Sequence, residues 1–131
     1  MFQDPHLRGA IAVALGAIAG ALGRYYVTLG CTYWFGSSVY GTLLVNLAGA
    51  WVMGFFTTLM ALRVLHLPQE VILLVSTGFL GSLTTFSTYT LDTMNLAGVY
   101  TLRLSLLYWL GTAVCGVISL YGGIFTARLL Q

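Results

Sequence analysis

Charged side chains are the scarcest feature of this sequence: they make up 6% of its 131 residues, and lysine is absent. Soluble domains carry about 25% charged residues. Hydrophobic residues account for 59% of the chain, and its mean hydropathy is +0.94. This composition indicates an integral membrane protein. The net charge of +2 is too small to favour nucleic acid as a partner.

The sequence also lacks the clusters of acids, histidines and cysteines on which most catalytic and metal sites depend. Its only acids are Asp4, Glu70 and Asp92, and they are far apart in sequence. The cysteines, Cys31 and Cys115, have neither metal-binding nor redox spacing. We therefore predict no enzyme activity. A proton-coupled multidrug pump would need an acid inside an early helix, and none lies between Asp4 and Glu70.

The few charges divide the chain into apolar runs that are long enough to cross a bilayer, which takes about 20 residues. The longest run, 25–62, is too long for one span, and a turn-like stretch at 30–38 divides it. The sequence thus predicts an all-α, multi-pass protein of the inner (plasma) membrane, with residues 1–131 in a single domain. Its four transmembrane helices are predicted near 8–29, 39–62, 69–96 and 99–128.

One stretch of the third predicted helix is poor helix-forming sequence. Gly78 and Gly81 are followed by seven hydroxyl-bearing residues among the nine from 82 to 90. This predicts a helix broken at mid-membrane near 81–86, with the glycines allowing the backbone to unwind. A broken membrane helix exposes carbonyls that attract a cation and N–H groups that attract an anion. The alternative is an intact helix whose hydroxyls bond back to their own backbone.

Four further side chains are candidates for an ion pathway. Asn46 either joins two helices by hydrogen bonds or donates to a permeating anion. Arg24 either extends to the membrane interface or makes a pore mouth positive. Phe86 and Tyr89 are three positions apart and share a helix face. They either pack as an aromatic pair or turn their electropositive ring edges toward an anion.

Small residues at four-residue spacing let helices approach closely in lipid. Three such stripes are present: Gly16 and Gly20; Asn46, Ala50 and Gly54; and Gly111, Cys115, Ser119 and Gly123. They indicate either close packing within one subunit or a homo-oligomer. The homo-oligomer is favoured because four short helices leave little room for an internal pathway.

The arginines give almost no bias toward one orientation in the membrane. Four spans place three arginines on one side and two on the other: Arg8, Arg63 and Arg128 against Arg24 and Arg103. A chain with so even a distribution can insert both ways. An antiparallel homodimer, with a twofold axis in the membrane plane, then becomes possible.

Taken together, these features resemble the Fluc (CrcB-type) fluoride channels. The matching stretches are GTLLVNL at 41–47 and GFLGSLTTFST at 78–88, with weaker support from the Gly/Ala-rich first helix that ends in Arg24. The resemblance covers the whole chain in length and helix count. It implies a dual-topology homodimer with two pores that passively and selectively exports cytoplasmic fluoride and so lowers fluoride toxicity.

The resemblance also implies roles for individual residues. The backbone carbonyls of Gly81 and Thr84 would hold a structural sodium ion at the dimer centre. Arg24 would lie in the vestibule. The fluoride pore would be lined by Asn46, Phe86, Ser87, Thr88, Tyr89, Tyr108 and Thr112. No motif fixes the register of the last two.

Three positions depart from the usual pattern of that family. Tyr89 replaces the second pore phenylalanine, Ser82 the second glycine of a Gly-Gly pair, and Asp92 a glutamate. None of these changes removes a component that the mechanism needs. Two other functions stay open. One is a proton-coupled fluoride exchanger, in which Asp92 would titrate, and the other is a non-conducting membrane assembly subunit.

Overall fold

The computed structural model describes residues 4–130. Within this range the chain forms six α-helical segments and one π-helical segment. They are α1 (Pro5–Phe35), α2 (Val39–Ala61), α3 (Gln69–Leu73), the π-helical segment (Leu74–Leu80), α4 (Gly81–Leu83), α5 (Phe86–Val99) and α6 (Leu102–Arg128). Among the described residues, four stretches are long and apolar enough to span a membrane: α1, α2, Gln69–Val99 and α6. The prediction of an all-α protein with four helices of membrane-spanning type is confirmed.

The ends of α1 are set by capping. The helix begins after Asp4, whose carboxylate accepts a hydrogen bond from the backbone N–H of His6 at 2.9 Å, with Pro5 in the first turn. It ends at Gly36, whose φ of +73° lies in the left-handed region. The helix therefore runs through most of the stretch at 30–38 in which the sequence predicts a turn. Only Gly36 adopts a conformation that stops the helix.

Close contact between α1 and the third spanning stretch depends on glycines. A methyl group added to Gly16 would overlap the carbonyl oxygen of Leu74, and one added to Gly20 would overlap that of Phe79. Gly78 faces back toward α1, where an added methyl group would lie 2.9 Å from the Cα of Gly16. Backbone therefore packs directly on backbone, as small residues permit in lipid.

The pairing of α2 with α6 uses the same device. A methyl group added to Gly54 would overlap the carbonyl oxygen of Leu120. One added to Gly123 would overlap the carbonyl oxygen of Trp51 and lie 2.8 Å from the backbone nitrogen of Phe55. These glycines of the small-residue stripes thus serve packing within one subunit, the first of the two interpretations. Gly111 and Cys115 of the third stripe are not packed in this way, since a methyl group added to Gly111 meets no heavy atom within 4 Å and Cys115 is exposed.

Replacing Gly123 by alanine should destabilise the protein, whereas the same change at Gly116 should not. The methyl group at 123 would meet backbone atoms of α2, and overpacking of this kind costs about 1–3 kcal/mol. At Gly116, in the same helix, an added methyl group has no heavy atom within 4 Å. Alanine is favoured over glycine in helix interiors by about 1 kcal/mol.

Thermal unfolding in detergent checks this prediction. We expect Gly123→Ala to melt several degrees below the wild type and Gly116→Ala to melt at or above it. Equal melting temperatures for the two variants would contradict the close approach of α2 and α6.

Candidate functional site

The third spanning stretch is interrupted at two threonines. α4 ends at Leu83, Thr84 has φ −79° and ψ 154°, Thr85 has φ −149° and ψ 122°, and α5 begins at Phe86. The glycines from which the sequence predicts unwinding are not themselves extended. Gly81 is helical, with φ −65° and ψ −30°, and Gly78 serves close packing against α1. Of the two extended residues, only Thr85 bonds outside the helix through its backbone; the N–H and Oγ1 of Thr84 both donate to the Leu80 carbonyl, at 3.1 and 3.0 Å.

Asn46 of α2 holds both backbone groups of Thr85. Its Oδ1 accepts a hydrogen bond from the Thr85 N–H at 2.8 Å, and its Nδ2 donates to the Thr85 carbonyl at 3.1 Å. In a continuous helix the Thr85 N–H would bond to the carbonyl of Gly81, four residues earlier. Asn46 therefore takes the place of that bond and leaves the Gly81 carbonyl without its helical donor. A second N–H of the amide remains for another acceptor.

Thr85 in turn caps α5. Its Oγ1 accepts a hydrogen bond from the Thr88 N–H at 3.3 Å and donates to Thr88 Oγ1 at 3.1 Å. In a continuous helix the Thr88 N–H would bond to the carbonyl of Thr84. The two carbonyls that the resemblance assigns to a cation, those of Gly81 and Thr84, are thus among the carbonyls that lose their helical donors at the interruption. Backbone carbonyl oxygens suit an alkali cation, so the donor set fits sodium.

A groove of about 430 Å³ opens beside the interruption. Four of the predicted pore residues line it, namely Asn46, Phe86, Tyr89 and Thr112. The side chain of Phe86 is 76% exposed, whereas that of Tyr89 is 6% exposed. Their ring centroids are 5.8 Å apart. The Phe86 ring therefore projects away from the subunit over the groove, and Tyr89 forms part of its buried wall.

The hydroxyl of Tyr89 is engaged by α6. It donates a hydrogen bond of 2.5 Å to the carbonyl oxygen of Trp109, and the ring of Tyr89 lies 5.6 Å from that of Tyr108. The group that distinguishes Tyr89 from phenylalanine therefore joins α5 to α6. The ring itself remains available to the groove.

A second groove, of about 330 Å³, shares only Thr85 with the first. Arg24 lines it together with the hydroxyl-bearing Thr28, Thr42 and Thr88. Arg24 forms no ion pair within residues 4–130. Its positive charge therefore lies in a groove of hydroxyl groups that reaches the interruption from α1.

Two predicted pore residues lie outside both grooves. Tyr108 lines a separate groove near the α1–α2 turn, with Ser37 and Tyr40. Ser87 is exposed, and its Oγ lies 3.3 Å from Thr85 Oγ1. Ser87 thus belongs to the cap of α5 rather than to a groove wall.

Some polar groups of α5 and α6 have no partner within the subunit. In the described range 4–130, the buried side-chain atoms without a hydrogen-bond partner are Asp92 Oδ2, Tyr108 Oη and Thr112 Oγ1. Buried polar atoms are normally paired, so unpaired hydroxyls beside a groove are candidates to bind a ligand or water. Thr112 is such a hydroxyl in the first groove.

Sequence reasoning missed Thr28 and Thr42 of the second groove. A signal for Thr28 was present, since Arg24, Thr28 and Thr32 recur every four residues and share one face of α1. A comparable signal existed for Thr42, which lies four positions before Asn46 on the same face of α2; it is 1% exposed and lines the groove from that helix.

Comparison with known proteins gives consistent matches along the chain. The profile of the family described as "CrcB-like protein, Camphor Resistance (CrcB)" matches residues 11–124. A relative from Trichormus variabilis named "Fluoride-specific ion channel FluC" is 49% identical over 130 residues, which cover 98% of this chain and 95% of the relative. Proteins of the same name from a Synechococcus and a Synechocystis species are 48% and 42% identical, covering 96% and 95% of this chain and 97% and 95% of theirs. The resemblance seen in the sequence is confirmed: this chain is a multi-pass membrane protein that belongs to the CrcB family.

Proposed function

We propose that this chain is a passive, fluoride-selective channel that releases fluoride across the inner membrane. The observation that carries the proposal is that relatives named as fluoride-specific ion channels align with nearly the whole chain, one of them at 49% identity. The family match at 11–124 also contains every residue that lines the two grooves at the interruption. Neither groove has an acidic side chain within residues 4–130, which favours passive flow over proton exchange.

The proposed mechanism replaces the water around fluoride by protein donors, because stripping a small anion of its water is costly. Arg24 would concentrate anions in the second groove. The remaining N–H of Asn46 and the hydroxyls of Thr88 and Thr112 would then bind fluoride in turn. The electropositive ring edge of Phe86 would line the narrowest part. Several modest sites in series allow the ion to leave as well as to enter.

Three more residues complete the proposed path. Tyr89 would offer a second ring edge from the groove wall, and the N–H groups and Ser87 hydroxyl at the start of α5 would add donors and partial positive charge. The unpartnered hydroxyl of Tyr108 would act where the path approaches the membrane edge.

The proposed channel is an antiparallel homodimer with two pores. An extended backbone at mid-membrane is tolerated only where protein covers it or where it lines a water-filled path. The exposed ring of Phe86 and the open groove beneath it likewise need a second wall. An inverted copy of the chain would supply that wall and repeat the groove. The even distribution of arginines supports insertion in both orientations.

A sodium ion at the dimer centre would bind the freed carbonyls of Gly81 and Thr84. One subunit offers two such oxygens, whereas hard cations in proteins take about six oxygen ligands. The four carbonyls of two subunits would come closer to this number than the two of one, which couples the site to dimer formation. When bound, the ion would supply fixed positive charge between the two interruptions.

Efflux from proteoliposomes, followed with a fluoride electrode, tests the function. We expect fluoride to leave down its gradient without any imposed pH difference and chloride to be retained. Chloride efflux as fast as fluoride efflux would overturn the selectivity. Fluoride accumulation driven by a pH gradient would instead support the exchanger, and a folded protein that moves neither ion would support the assembly subunit.

Tyr89→Phe should leave the fluoride efflux rate nearly unchanged while lowering stability. The change keeps the ring edge and removes only the hydrogen bond to the Trp109 carbonyl, a loss of about 1 kcal/mol. Efflux and thermal unfolding measured on the same preparation separate the two effects. Tyr121→Phe is the matched control, because that ring is 66% exposed on α6. A large loss of flux in Tyr89→Phe alone would put the hydroxyl in the ion path.

A further inference from the structure

At the end of α2 an arginine, Arg63, has the left-handed backbone conformation that usually favours glycine. The Arg63 N–H donates to the Met60 carbonyl at 3.0 Å, and the Val64 N–H donates to the Leu59 carbonyl at 3.0 Å. This is the hydrogen-bond pattern of a Schellman turn, in which the left-handed position is usually glycine. Arg63 has a φ of +56°, the only positive φ of a non-glycine residue within 4–130. Strained positions of this kind point to a role for the side chain.

Arg63 lines a cavity of about 500 Å³ between α2 and α3. The cavity walls are formed by Met60, Arg63, Leu65, His66, Leu67 and Pro68. Arg63 and His66 are both exposed, and neither side chain forms a hydrogen bond or an ion pair within residues 4–130. Arg8, at the same membrane edge, is instead neutralised by Glu70 at 2.8 Å. The cavity thus combines an unpaired cation, an imidazole and an apolar lining.

The position of this cavity in the chain indicates that it lies at the level of the lipid headgroups. α2 ends at Ala61 and the next spanning stretch begins at Gln69, so the cavity lies where the chain turns at the membrane surface. Lipid phosphates occupy this level, with glycerol and acyl chains immediately below. A guanidinium group pairs with phosphate through two parallel hydrogen bonds.

We propose that this cavity is a binding site for the headgroup phosphate of an anionic phospholipid. Arg63 provides the positive charge and a bidentate pair of N–H donors, and His66 adds one further N–H donor. Met60, Leu65 and Leu67 contact the glycerol and the upper acyl chains. The site is separate from the two grooves at the interruption, so it does not depend on which ion the protein conducts.

Lipid titration of the purified protein tests the proposal. We expect phosphatidylglycerol to bind about fivefold more tightly than phosphatidylcholine, by native mass spectrometry and by thermal stabilisation, which is the preference that one arginine provides. Arg63→Gln should abolish this preference. Arg103→Gln, at the opposite membrane edge, should keep it.

A glycine variant separates lipid binding from a local role at the helix end. Arg63→Gly relieves the left-handed strain, so we expect it to be at least as stable as the wild type in detergent and to lose the stabilisation by phosphatidylglycerol. A variant that loses stability equally in both lipids would show that Arg63 only stabilises the helix terminus. An unchanged preference in Arg63→Gln would overturn the proposal. Displacement of the lipid by millimolar inorganic phosphate would show a site for free phosphate instead.

Discussion

Phe86→Ile should reduce fluoride efflux from proteoliposomes by about 100-fold or more while leaving the protein folded and its proposed dimer intact. The Phe86 side chain is 76% exposed in the subunit, so its loss removes little internal packing. Isoleucine fills a similar space but has no electropositive ring edge. Leaving a dehydrated anion without one of its partners costs about 3 kcal/mol, which corresponds to a factor of about 100 in rate.

The matched control is Phe125→Ile. Phe125 is also highly exposed, at 64%, and lies on α6 outside both grooves. We expect this variant to conduct like the wild type, with the same elution volume in size-exclusion chromatography. Wild-type efflux from Phe86→Ile would remove that ring from the ion path. Equal losses in both variants would indicate a general effect of aromatic residues at the lipid boundary.

The long helices could be predicted because hydropathy depends on local sequence alone. Where they end depends on single residues. The stretch at 30–38 contains two glycines, and only Gly36 has the left-handed conformation that ends α1, whereas Gly30 stays within the helix. Both glycines are flanked by residues that tolerate a helix or a turn. The sequence therefore does not distinguish between them.

The extended residues Thr84 and Thr85 lie within the range 81–86 in which the sequence predicts a break, but the two glycines are not the extended residues. Gly78 and Gly81 suggest flexibility, yet neither adopts an extended conformation. What separates α4 from α5 is a pair of hydrogen bonds between Asn46 and Thr85, 39 positions apart. A contact of that range leaves no periodic signal. The sequence could show only that Asn46 needed a partner.

The candidate site was only partly predictable, again because its residues are far apart in sequence. Asn46, Phe86, Tyr89 and Thr112 lie in one groove although they come from three helices, and motif resemblance supplied that grouping. Thr42 escaped notice because a threonine in a membrane helix ordinarily bonds its own backbone, as Thr42 does with the Ser38 carbonyl at 3.4 Å. Only the packing of α1, α2 and α5 shows that it also lines a groove.

Asn46→Leu is expected to remove fluoride efflux and, with it, the stabilisation that the proposed sodium ion would provide. Without the amide, the N–H and carbonyl of Thr85 lose their partners, and each unpaired buried group costs about 1–3 kcal/mol. In lipid the lowest-energy way to satisfy these groups is to continue the helix, so that the Thr85 N–H bonds to the Gly81 carbonyl. Closing the helix engages the Gly81 carbonyl, which is then no longer free to bind a cation. The same substitution removes the Asn46 amide that would donate to the anion. We therefore expect both functions to fail together.

Two further variants distinguish this coupling from a simple loss of stability. Asn95→Leu replaces an exposed asparagine of α5 and should keep the wild-type efflux and the wild-type difference in melting temperature between sodium and N-methylglucamine chloride. Asn46→Asp keeps the acceptor for the Thr85 N–H, so the interruption and the sodium effect should survive. Its carboxylate has no amide donor and repels anions, so efflux should still fail. Sodium dependence that persists in Asn46→Leu would mean that the interruption holds its shape without Asn46, and the two freed carbonyls would then need another cause.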